Sequence, residues 1–210
     1  VVAYRRSKHD NRAMIVGEGR DRPAVPDPPP RLGGVNDLVI GADGLARCAW
    51  GASAPEYLSY HDEEWGRPVH TDDGLYERLT LEAFQSGLSW LTILRKREAF
   101  RAAFDGFHIE TVAGYGEKDI DRLLADAGIV RNRAKIEAAV ANARAAADLP
   151  DGLAAMLWAY APEPGRRRPR RFADLPSVTP ESTAMAKDLR KRGFRFVGPT
   201  TAYALMQATG

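Results

Sequence analysis

The feature that most constrains the fold is a helical spacing of apolar residues that continues through most of the chain after position 72. In residues 72–104, two apolar stripes with three- and four-residue steps are separated by Ser86 and Gly87. This spacing places the apolar side chains of each stripe on one face of a helix. The stripes comprise Leu75, Leu79 and Ala83, then Trp90, Ile93, Leu94 and Phe100. Runs of alternating strand residues are missing, so the sequence predicts an all-α fold.

The same plan recurs further along the chain. Residues 117–148 predict a short helix, a hairpin containing Gly128 and a longer helix. Their apolar positions are Ile120, Leu123 and Leu124 in the first helix and Ile136, Val140 and Ala143 in the second. Near the end of the sequence, Thr179 and Pro180 form a good N-cap and first-position pair, and Pro199 can open another helix. Several short helices joined by tight turns are therefore expected.

Residues 1–45 differ from the rest of the chain. Their segment DRPAVPDPPPRLGG holds five of the 14 prolines, and no periodic apolar face precedes it. Such a segment buries too little apolar surface to offset the entropy lost on ordering. We therefore expect a low-order, Pro-rich extension at 1–45 and one domain at 46–210.

Composition excludes several classes of protein. The sequence has no run of eighteen apolar residues, which excludes a membrane-spanning helix. A single Cys rules out a disulfide framework and favours a reducing, cytoplasmic setting. The net charge is only +2, and the basic run RRRPRR at 166–171 fits either a phosphate-contacting patch or a solvated loop.

The segment RCAWGASAPEYLSYHDEEWG, residues 47–66, is unusually rich in chemically active side chains. Its apolar positions follow neither the strand period nor the helix period. Cys48 and His61 are both suitable zinc ligands, but two ligands do not close a tetrahedral site. They also fit a Cys–His nucleophile pair, or simply a buried thiol beside a hydrogen-bonded histidine. Spacing alone favours the last interpretation.

Aromatic residues of this segment, together with one from the next predicted helix, suggest a binding slot. A flat ring taken out of a nucleic acid stack is held between aromatic faces. Core filling is the alternative explanation for the same residues. The candidates for a ring pocket are Trp50, Tyr57, Tyr60, Trp65 and Trp90.

Glu82 is an unexpected residue in its predicted helix. Its spacing from Leu79 and Leu75 brings it to the edge of the apolar stripe. A carboxylate there is either paired or functional, because a lone buried charge is costly. An ion pair with Arg78, four residues earlier, is the structural explanation, and spacing alone slightly favours it.

The segment ADAGIVRNRAKI, residues 125–136, predicts a helix, a glycine-containing turn and a second helix with basic residues at its start. Backbone N–H groups at such a turn form a site for a DNA phosphate, and Arg131, Arg133 and Lys135 add positive charge. The alternative is an ordinary helix–turn–helix connection in which Gly128 supplies a left-handed C-cap.

Taken together, these motifs resemble one family. The segments CAW, YLSYHDEEWG, LTLEAFQSGLSW, DAGIVRNRAKI and LRKRGFRFVGPTTAYALMQATG are similar, in order and spacing, to the 3-methyladenine DNA glycosylase I family. The resemblance covers about residues 46–210. It implies a helix–hairpin–helix glycosylase that flips 3-methyladenine out of alkylated double-stranded DNA and cleaves its N-glycosidic bond.

The resemblance also implies roles for individual residues. Glu82 corresponds to the carboxylate of the base pocket, Trp90 stacks on the flipped base, and the remaining aromatic candidates, Trp50, Tyr57, Tyr60 and Trp65, line or shape that pocket. Gln85 and Leu88 resemble the residues that enter the duplex where the base has left. Gly128 and its hairpin resemble the phosphate-binding element.

Cys48 and His61 resemble the first two ligands of a structural Cys₂His₂ zinc site. In the family the other two ligands follow MQATG, whereas this sequence stops at Gly210, so the zinc site is expected to be incomplete here. We expect a monomer in the cytoplasm. Two rival hypotheses are a non-catalytic helix–hairpin–helix DNA-binding module and an enzyme with Cys48 as its nucleophile.

Overall fold

The computed structural model describes residues 38–162 and 174–210. Residues 1–37 of the extension predicted at 1–45 and the basic run at 166–171 lie outside these residues. Within them the fold is all-α apart from one small hairpin, as the sequence predicts. The α-helices are α1 (Pro55–Ser59), α2 (Asp72–Gln85), α3 (Trp90–Ala103), α4 (Ile109–Ala113), α5 (Glu117–Ala125), α6 (Arg133–Ala147), α7 (Gly152–Trp158), α8 (Pro180–Lys191) and α9 (Pro199–Ala208).

A two-stranded hairpin precedes the helices and was not predicted. Strand β1 (Leu38–Ile40) pairs antiparallel with β2 (Ala46–Cys48), with Leu38 opposite Cys48. The connecting turn passes through Gly44, whose φ of 78° suits glycine. Ordered structure therefore begins at least eight residues before the predicted boundary at 46, because Leu-Val-Ile is a good strand sequence once it has a partner.

Local signals set the helix boundaries. Gly87, with a φ of 81°, separates α2 from α3 at the predicted break. The Ser89 hydroxyl accepts a hydrogen bond from the Thr92 N–H at 3.1 Å and caps α3. Thr179 accepts from the Ser182 N–H in the same way at the start of α8, and Pro180 is the first residue of that helix. These caps satisfy N–H groups that have no partner within their own helix.

Helix α2 lies at the centre of the fold. It packs against α3, α6, α7 and α9, which explains why nine of its fourteen residues are buried. The phenyl rings of Phe84, Phe100, Phe104 and Phe107 pack together in the core, and each is 0% exposed. No helix in the described ranges is both long and apolar enough to cross a membrane.

Candidate active site

A short π-helix, Tyr60–Glu64, forms one wall of the site. Its wide turn directs successive side chains to different partners. Tyr60 is buried at 3% exposure, the His61 ring lies 5.1 Å from the Trp50 ring, and Glu64 accepts hydrogen bonds from two arginines. Single π-turns are frequent at functional sites. This geometry also explains why residues 47–66 follow neither common period.

The predicted pocket aromatics come together in one cluster. Measured between ring centroids, Trp50 lies 5.6 Å from Tyr57, 6.3 Å from Tyr60 and 5.3 Å from Trp65. Tyr60 in turn lies 5.5 Å from Trp90, the first residue of α3. Edge-to-face and tilted contacts of this kind hold the rings in fixed orientations. The cluster therefore joins the segment around the π-helix to the start of α3.

Two indole donors of this cluster have no partner. Within the described residues, the Nε1 atoms of Trp50 and Trp90 are buried and make no hydrogen bond. An unsatisfied buried donor destabilises a protein by roughly 1–3 kcal/mol. Binding a ligand that carries acceptor atoms can relieve this penalty, so the cluster has the polarity of a binding site rather than that of a finished core.

Glu82 adds a buried carboxylate to the same site. The residue is 7% exposed, and no hydrogen bond or ion pair to its carboxylate occurs within residues 38–162 and 174–210. Burial raises the pKa of Glu82 to about 7, against the opposing positive charge of Arg78. Burial, followed by the negative charge of Glu82, also raises the pKa of Tyr60. A cation entering this site would find an uncompensated negative charge.

The predicted alternative for Glu82, an ion pair with Arg78, is wrong. Arg78 donates to Glu64 at 2.9 Å, and Arg97 of α3 donates to the same carboxylate at 2.6 and 2.8 Å. Burial raises the pKa of Glu64, but its bonds with Arg97 and Arg78 outweigh burial and lower that pKa overall. Arg78 is thus engaged elsewhere, and Glu82 is left for another partner.

The hairpin between α5 and α6 requires glycine for a reason that differs from the predicted one. The φ of Gly128 is not among the positive values, so Gly128 is no left-handed C-cap. A Cβ atom at this position would lie 2.9 Å from Asp126 Oδ1 and 3.0 Å from the Ala99 Cβ. The Gly128 N–H donates to Asp126 Oδ1 at 2.7 Å. Close packing of the hairpin on α3 explains the glycine.

This combination of aromatic rings, a buried carboxylate and a glycine hairpin between helices matches a known family. The family model for methyladenine glycosylase matches residues 50–210. The chain belongs to the methyladenine glycosylase family. Its helices, hairpin and pocket therefore have counterparts in proteins whose names state an activity.

Relatives of known name support the membership. The chain is 41% identical over 170 residues to DNA-3-methyladenine glycosylase 1 of Escherichia coli (strain K12), covering 79% of this chain and 91% of that protein. A crystal structure of 3-methyladenine DNA glycosylase I superposes with a TM-score of 0.74 at 42% identity, covering 78% and 92% of the two chains. The Staphylococcus aureus enzyme, solved to explain 3-methyladenine recognition, gives a TM-score of 0.72 at 38% identity, covering 78% and 89%.

The basic residues predicted to contact DNA divide into two groups. Arg131 is exposed next to the hairpin, where it can reach a phosphate. Arg133 is also exposed, but its guanidinium contacts Glu117 at 2.7 Å and Asp121 at 2.9 Å. Lys135 is 9% exposed, and its ammonium donates to main-chain oxygens within the protein. The prediction of a phosphate contact is therefore wrong for Lys135 in this structure.

The residues predicted to enter the duplex also differ in exposure. Leu88 is 39% exposed in the turn between α2 and α3. Gln85 is the last residue of α2 and is only 6% exposed. Leu88 is available to enter a gap in a base stack, whereas Gln85 is turned into the protein.

Cys48 and His61 are brought together, as a metal site requires. The Cys48 N–H faces His61 Nε2 at 3.4 Å, and His61 Nδ1 lies 2.8 Å from the Asp62 carboxylate. The Asp62 carboxylate fixes the proton of His61 on Nδ1, so Nε2 carries the lone pair, which here accepts the hydrogen bond from the Cys48 N–H. No group of three or more potential ligands occurs in the described part of the chain. The structure therefore brings the Cys48 main chain and the His61 ring together, and zinc binding stays a prediction.

Sequence reasoning missed two sets of residues around the pocket. The first is the cluster formed by Glu64, Arg78 and Arg97, and the second is Lys96, whose ammonium donates to carbonyl oxygens of the hairpin. Their partners lie 14 to 33 residues away in sequence. No local pattern signals such contacts, because they depend on how the helices pack.

Proposed function

We propose that this protein is a monofunctional DNA glycosylase of base-excision repair, which flips 3-methyladenine out of alkylated double-stranded DNA and releases it by hydrolysis. The observation that carries the proposal is the buried Glu82 carboxylate, without a hydrogen-bond partner in the described residues, beside the Trp50–Trp90 ring cluster. The Staphylococcus aureus relative was solved for 3-methyladenine recognition, and it shares 38% of its sequence with this chain. No observation favours a non-catalytic DNA-binding module over this function.

Selectivity follows from charge and shape. Methylation at N3 makes adenine cationic in DNA, whereas the four normal bases are neutral. An electron-poor ring gains from stacking on aromatic faces, where stacking contributes roughly 1–3 kcal/mol per base. The Glu82 carboxylate accepts hydrogen bonds from the amino edge of the base and complements its charge. The unpaired indole N–H groups of Trp50 and Trp90 are donors available to the acceptor nitrogens of the same ring.

The chemical step requires little acid assistance. The cationic base leaves as a neutral molecule, so its glycosidic bond is already weak and the departing base needs no proton. Positive charge develops on the sugar as the bond breaks, and the Glu82 carboxylate stabilises that charge at short range in a water-poor site. The role of the protein is to bring the base out of the stack and to hold it beside this carboxylate.

The raised pKa of Glu82 predicts the pH dependence of the reaction. Above about pH 7 the carboxylate is ionised in the free enzyme, and below that pH it is protonated. Because only the ionised form attracts a cationic base, kcat/KM for methylated duplex should fall as the pH drops below about 7. The profile for kcat should lie at lower pH, because the bound cation favours the ionised carboxylate.

The test is release of 3-methyladenine from methylated duplex DNA, followed by chromatography of the free base. Wild type should release the base, and Glu82→Gln should do so at least a hundredfold more slowly while remaining folded. Glu110→Gln is the matched control, because Glu110 is exposed on α4. Absence of base release by folded wild-type protein would overturn the proposed function.

We also propose that Cys48 and His61 hold a structural zinc ion together with ligands from outside the described residues. The contact of His61 Nδ1 with Asp62 and the position of the His61 ring against the Cys48 main chain support this. A zinc ion on Nε2 would replace the hydrogen bond that Nε2 now accepts from the Cys48 N–H. A bound zinc would tie β2 to the π-helix and so support the wall of the pocket. Gly51 is compatible with this arrangement only as glycine, because a Cβ there would lie 2.6 Å from the His61 ring.

Elemental analysis of the purified protein tests the zinc proposal. Stoichiometric zinc in wild type, lost in both Cys48→Ser and His61→Gln, is expected. A wild-type protein without zinc would contradict it. The rate of Cys48 alkylation gives a second readout, since a zinc-bound thiolate reacts slowly, while rapid alkylation that stops base release would instead indicate a nucleophilic cysteine.

We further propose that the protein acts as a monomer in the cytoplasm. Each group assigned to the pocket comes from a single chain, so a second copy is not needed to complete it. A sedimentation or size-exclusion mass near the chain mass of 23.1 kDa is expected. A stable dimer would contradict this part of the proposal.

A further inference from the structure

Two loops must act together if the proposed function is correct. The first is the turn at residues 86–89 between α2 and α3, which carries the exposed Leu88; we call it the wedge loop. The second is the hairpin at residues 126–132 between α5 and α6. The hairpin would bind a DNA phosphate, and the wedge loop would fill the space that the flipped base leaves. Their separation determines where along the duplex Leu88 enters.

A buried lysine connects the helix after the hairpin to the wedge loop. Lys135, in the first turn of α6, donates from Nζ to the Phe84 carbonyl oxygen at 2.9 Å and to the Ser86 carbonyl oxygen at 2.6 Å. These oxygens lie at the C-terminal end of α2, where carbonyl groups lack partners within the helix. The ammonium therefore holds the point where the wedge loop leaves α2.

A second lysine makes the reverse connection. Lys96, on the helix that follows the wedge loop, donates from Nζ to the Ala127 and Gly128 carbonyl oxygens, both at 3.0 Å. The hairpin also packs tightly here, since a Cβ at Gly128 would lie 3.0 Å from the Ala99 Cβ. Each loop is thus held by an ammonium group from the helix that follows the other loop.

The contacts of the buried Lys135 ammonium are not what is expected if the residue served only to stabilise the fold. Lys135 is 9% exposed, and burial lowers the pKa of its ammonium, with no carboxylate opposing that shift. A buried cation paired only with carbonyl oxygens adds little net stability, because desolvation offsets much of the gain from its hydrogen bonds. An ammonium does, however, fix the distance between several carbonyl groups that an apolar side chain would leave free.

We propose that Lys96 and Lys135 are positioning residues that set the separation of the hairpin and the wedge loop. When the hairpin binds a DNA phosphate, this separation places Leu88 at the damaged nucleotide. This inference rests on the proposed function. It assigns Lys135 a role inside the protein in place of the DNA contact that its sequence position predicts. Neither lysine touches the base, so the pocket itself should not depend on them.

The test compares Lys96→Met, Lys135→Met and the double variant with wild type. We expect the single-turnover rate of 3-methyladenine release from methylated duplex to fall ten- to a hundredfold in each single variant. Affinity for free 3-methyladenine, followed by tryptophan fluorescence, and affinity for undamaged duplex should stay within about threefold of wild type. Lys187→Met is the matched control, because Lys187 is an exposed lysine of α8.

The double variant tests whether the two lysines act through one separation. If they do, its rate should be close to that of the slower single variant, because the spacing is already lost. Rate losses that multiply would indicate two independent contacts and would overturn the shared role. Single variants that release base at the wild-type rate, or that lose duplex rate and free-base affinity equally, would overturn the inference as well.

The design separates this inference from the function on which it rests. Wild-type protein that releases no base overturns the glycosylase, whereas wild-type release with unchanged variants overturns only the positioning role. Lys96 is partly exposed, so Lys96→Met should fold even if Lys135→Met does not. A thermal melt of each variant confirms folding at the assay temperature, and a lower melting temperature with an unchanged rate counts against positioning.

Discussion

Two groups of aromatic side chains lie on opposite ends of α3, and they are built in different ways. In the core group, Phe84 and Phe100 lie 4.8 Å apart between centroids, and Phe104 stacks on Phe107 at 5.4 Å with nearly parallel planes. All four rings are 0% exposed and carry no polar atom. In the pocket group, Trp50 and Trp90 are half-buried.

The pocket group retains unsatisfied polarity that the core group lacks. The indole nitrogens of Trp50 and Trp90 are unpaired in the described residues, and the Glu82 carboxylate is buried near Tyr60 of the same group, whose pKa its negative charge helps to raise. A core of apolar rings contributes to stability through close packing. The pocket gives up some of that stability, and its unpaired groups can interact with a ligand instead. Substitutions in the two groups should therefore separate stability from function.

The largest effect on stability is expected in the core group. Phe104→Ala removes a fully buried ring that contacts four neighbouring aromatic rings, and such truncations reduce the free energy of unfolding by about 3–5 kcal/mol. Chemical denaturation measures the loss. Base release per folded molecule should remain near the wild-type value, and a large loss of specific activity at full folding would show that the two groups are not separate.

Glu82→Gln should lose base release and gain stability, the opposite of Phe104→Ala. Burial raises the pKa of Glu82 from 4.5 to about 7, so folding favours its protonated form, and the wild type loses stability as the pH rises from about 4.5 to about 7. At pH 8 to 9 the variant should be more stable by about 3 kcal/mol, estimated from the size of the pKa shift. Near pH 4 the two proteins should unfold alike.

Denaturant titrations across this pH range measure the difference. The exposed Glu110→Gln serves as the control and should show no gain with pH. A wild-type protein whose stability matched Glu82→Gln at every pH would mean that the buried carboxylate is already compensated, and that the pocket resembles a finished core.

Trp90→Ala should weaken base binding more than it weakens the fold. Removing one stacking face lowers the affinity for free 3-methyladenine by about 1–3 kcal/mol, roughly five- to 150-fold. Because the ring is only partly buried and its N–H is unpaired, the loss of stability should be smaller than for Phe104→Ala. Equilibrium binding and denaturation, measured on the same preparations, give both values.

Trp90→Phe is expected to have the smallest effect of these substitutions, and it separates the contribution of ring stacking from that of the indole N–H. It keeps an aromatic face and removes the unpaired N–H, so it should keep most of the affinity and change stability by no more than about 1 kcal/mol. If Trp90→Phe bound as weakly as Trp90→Ala, the indole N–H and not stacking would be the main contact with the base.

Much of the fold was predictable because its signals are local. The break at Ser86 and Gly87, the Thr179–Pro180 start of α8 and the Pro199 start of α9 are all confirmed. Each depends on the backbone preference or hydrogen bonding of residues within one helical turn. The strand pair Leu38–Ile40 and Ala46–Cys48 was missed, since three-residue strands show no clear period.

The site was predictable in its members but not in its contacts. The five pocket aromatics do meet, whereas the interpretations of Arg78 and Gly128 from spacing are wrong. Arg78 has a suitable partner on its own helix but bonds with Glu64 of the π-helix. Lys135 follows a DNA-binding motif, yet its flexible side chain reaches the end of α2. Long charged side chains have several partners within reach, and packing selects among them.

The sequence alone determined the helical architecture, the set of aromatic residues proposed for the pocket and the resemblance to 3-methyladenine glycosylases, because apolar period, caps and motif residues are properties of short segments. Only the tertiary structure decided that Glu82 is buried without an ion pair to any residue of 38–162 or 174–210 and that Lys96 and Lys135 connect the hairpin and the wedge loop. The physical reason is that desolvation and hydrogen-bond partners depend on which helices approach each other in space.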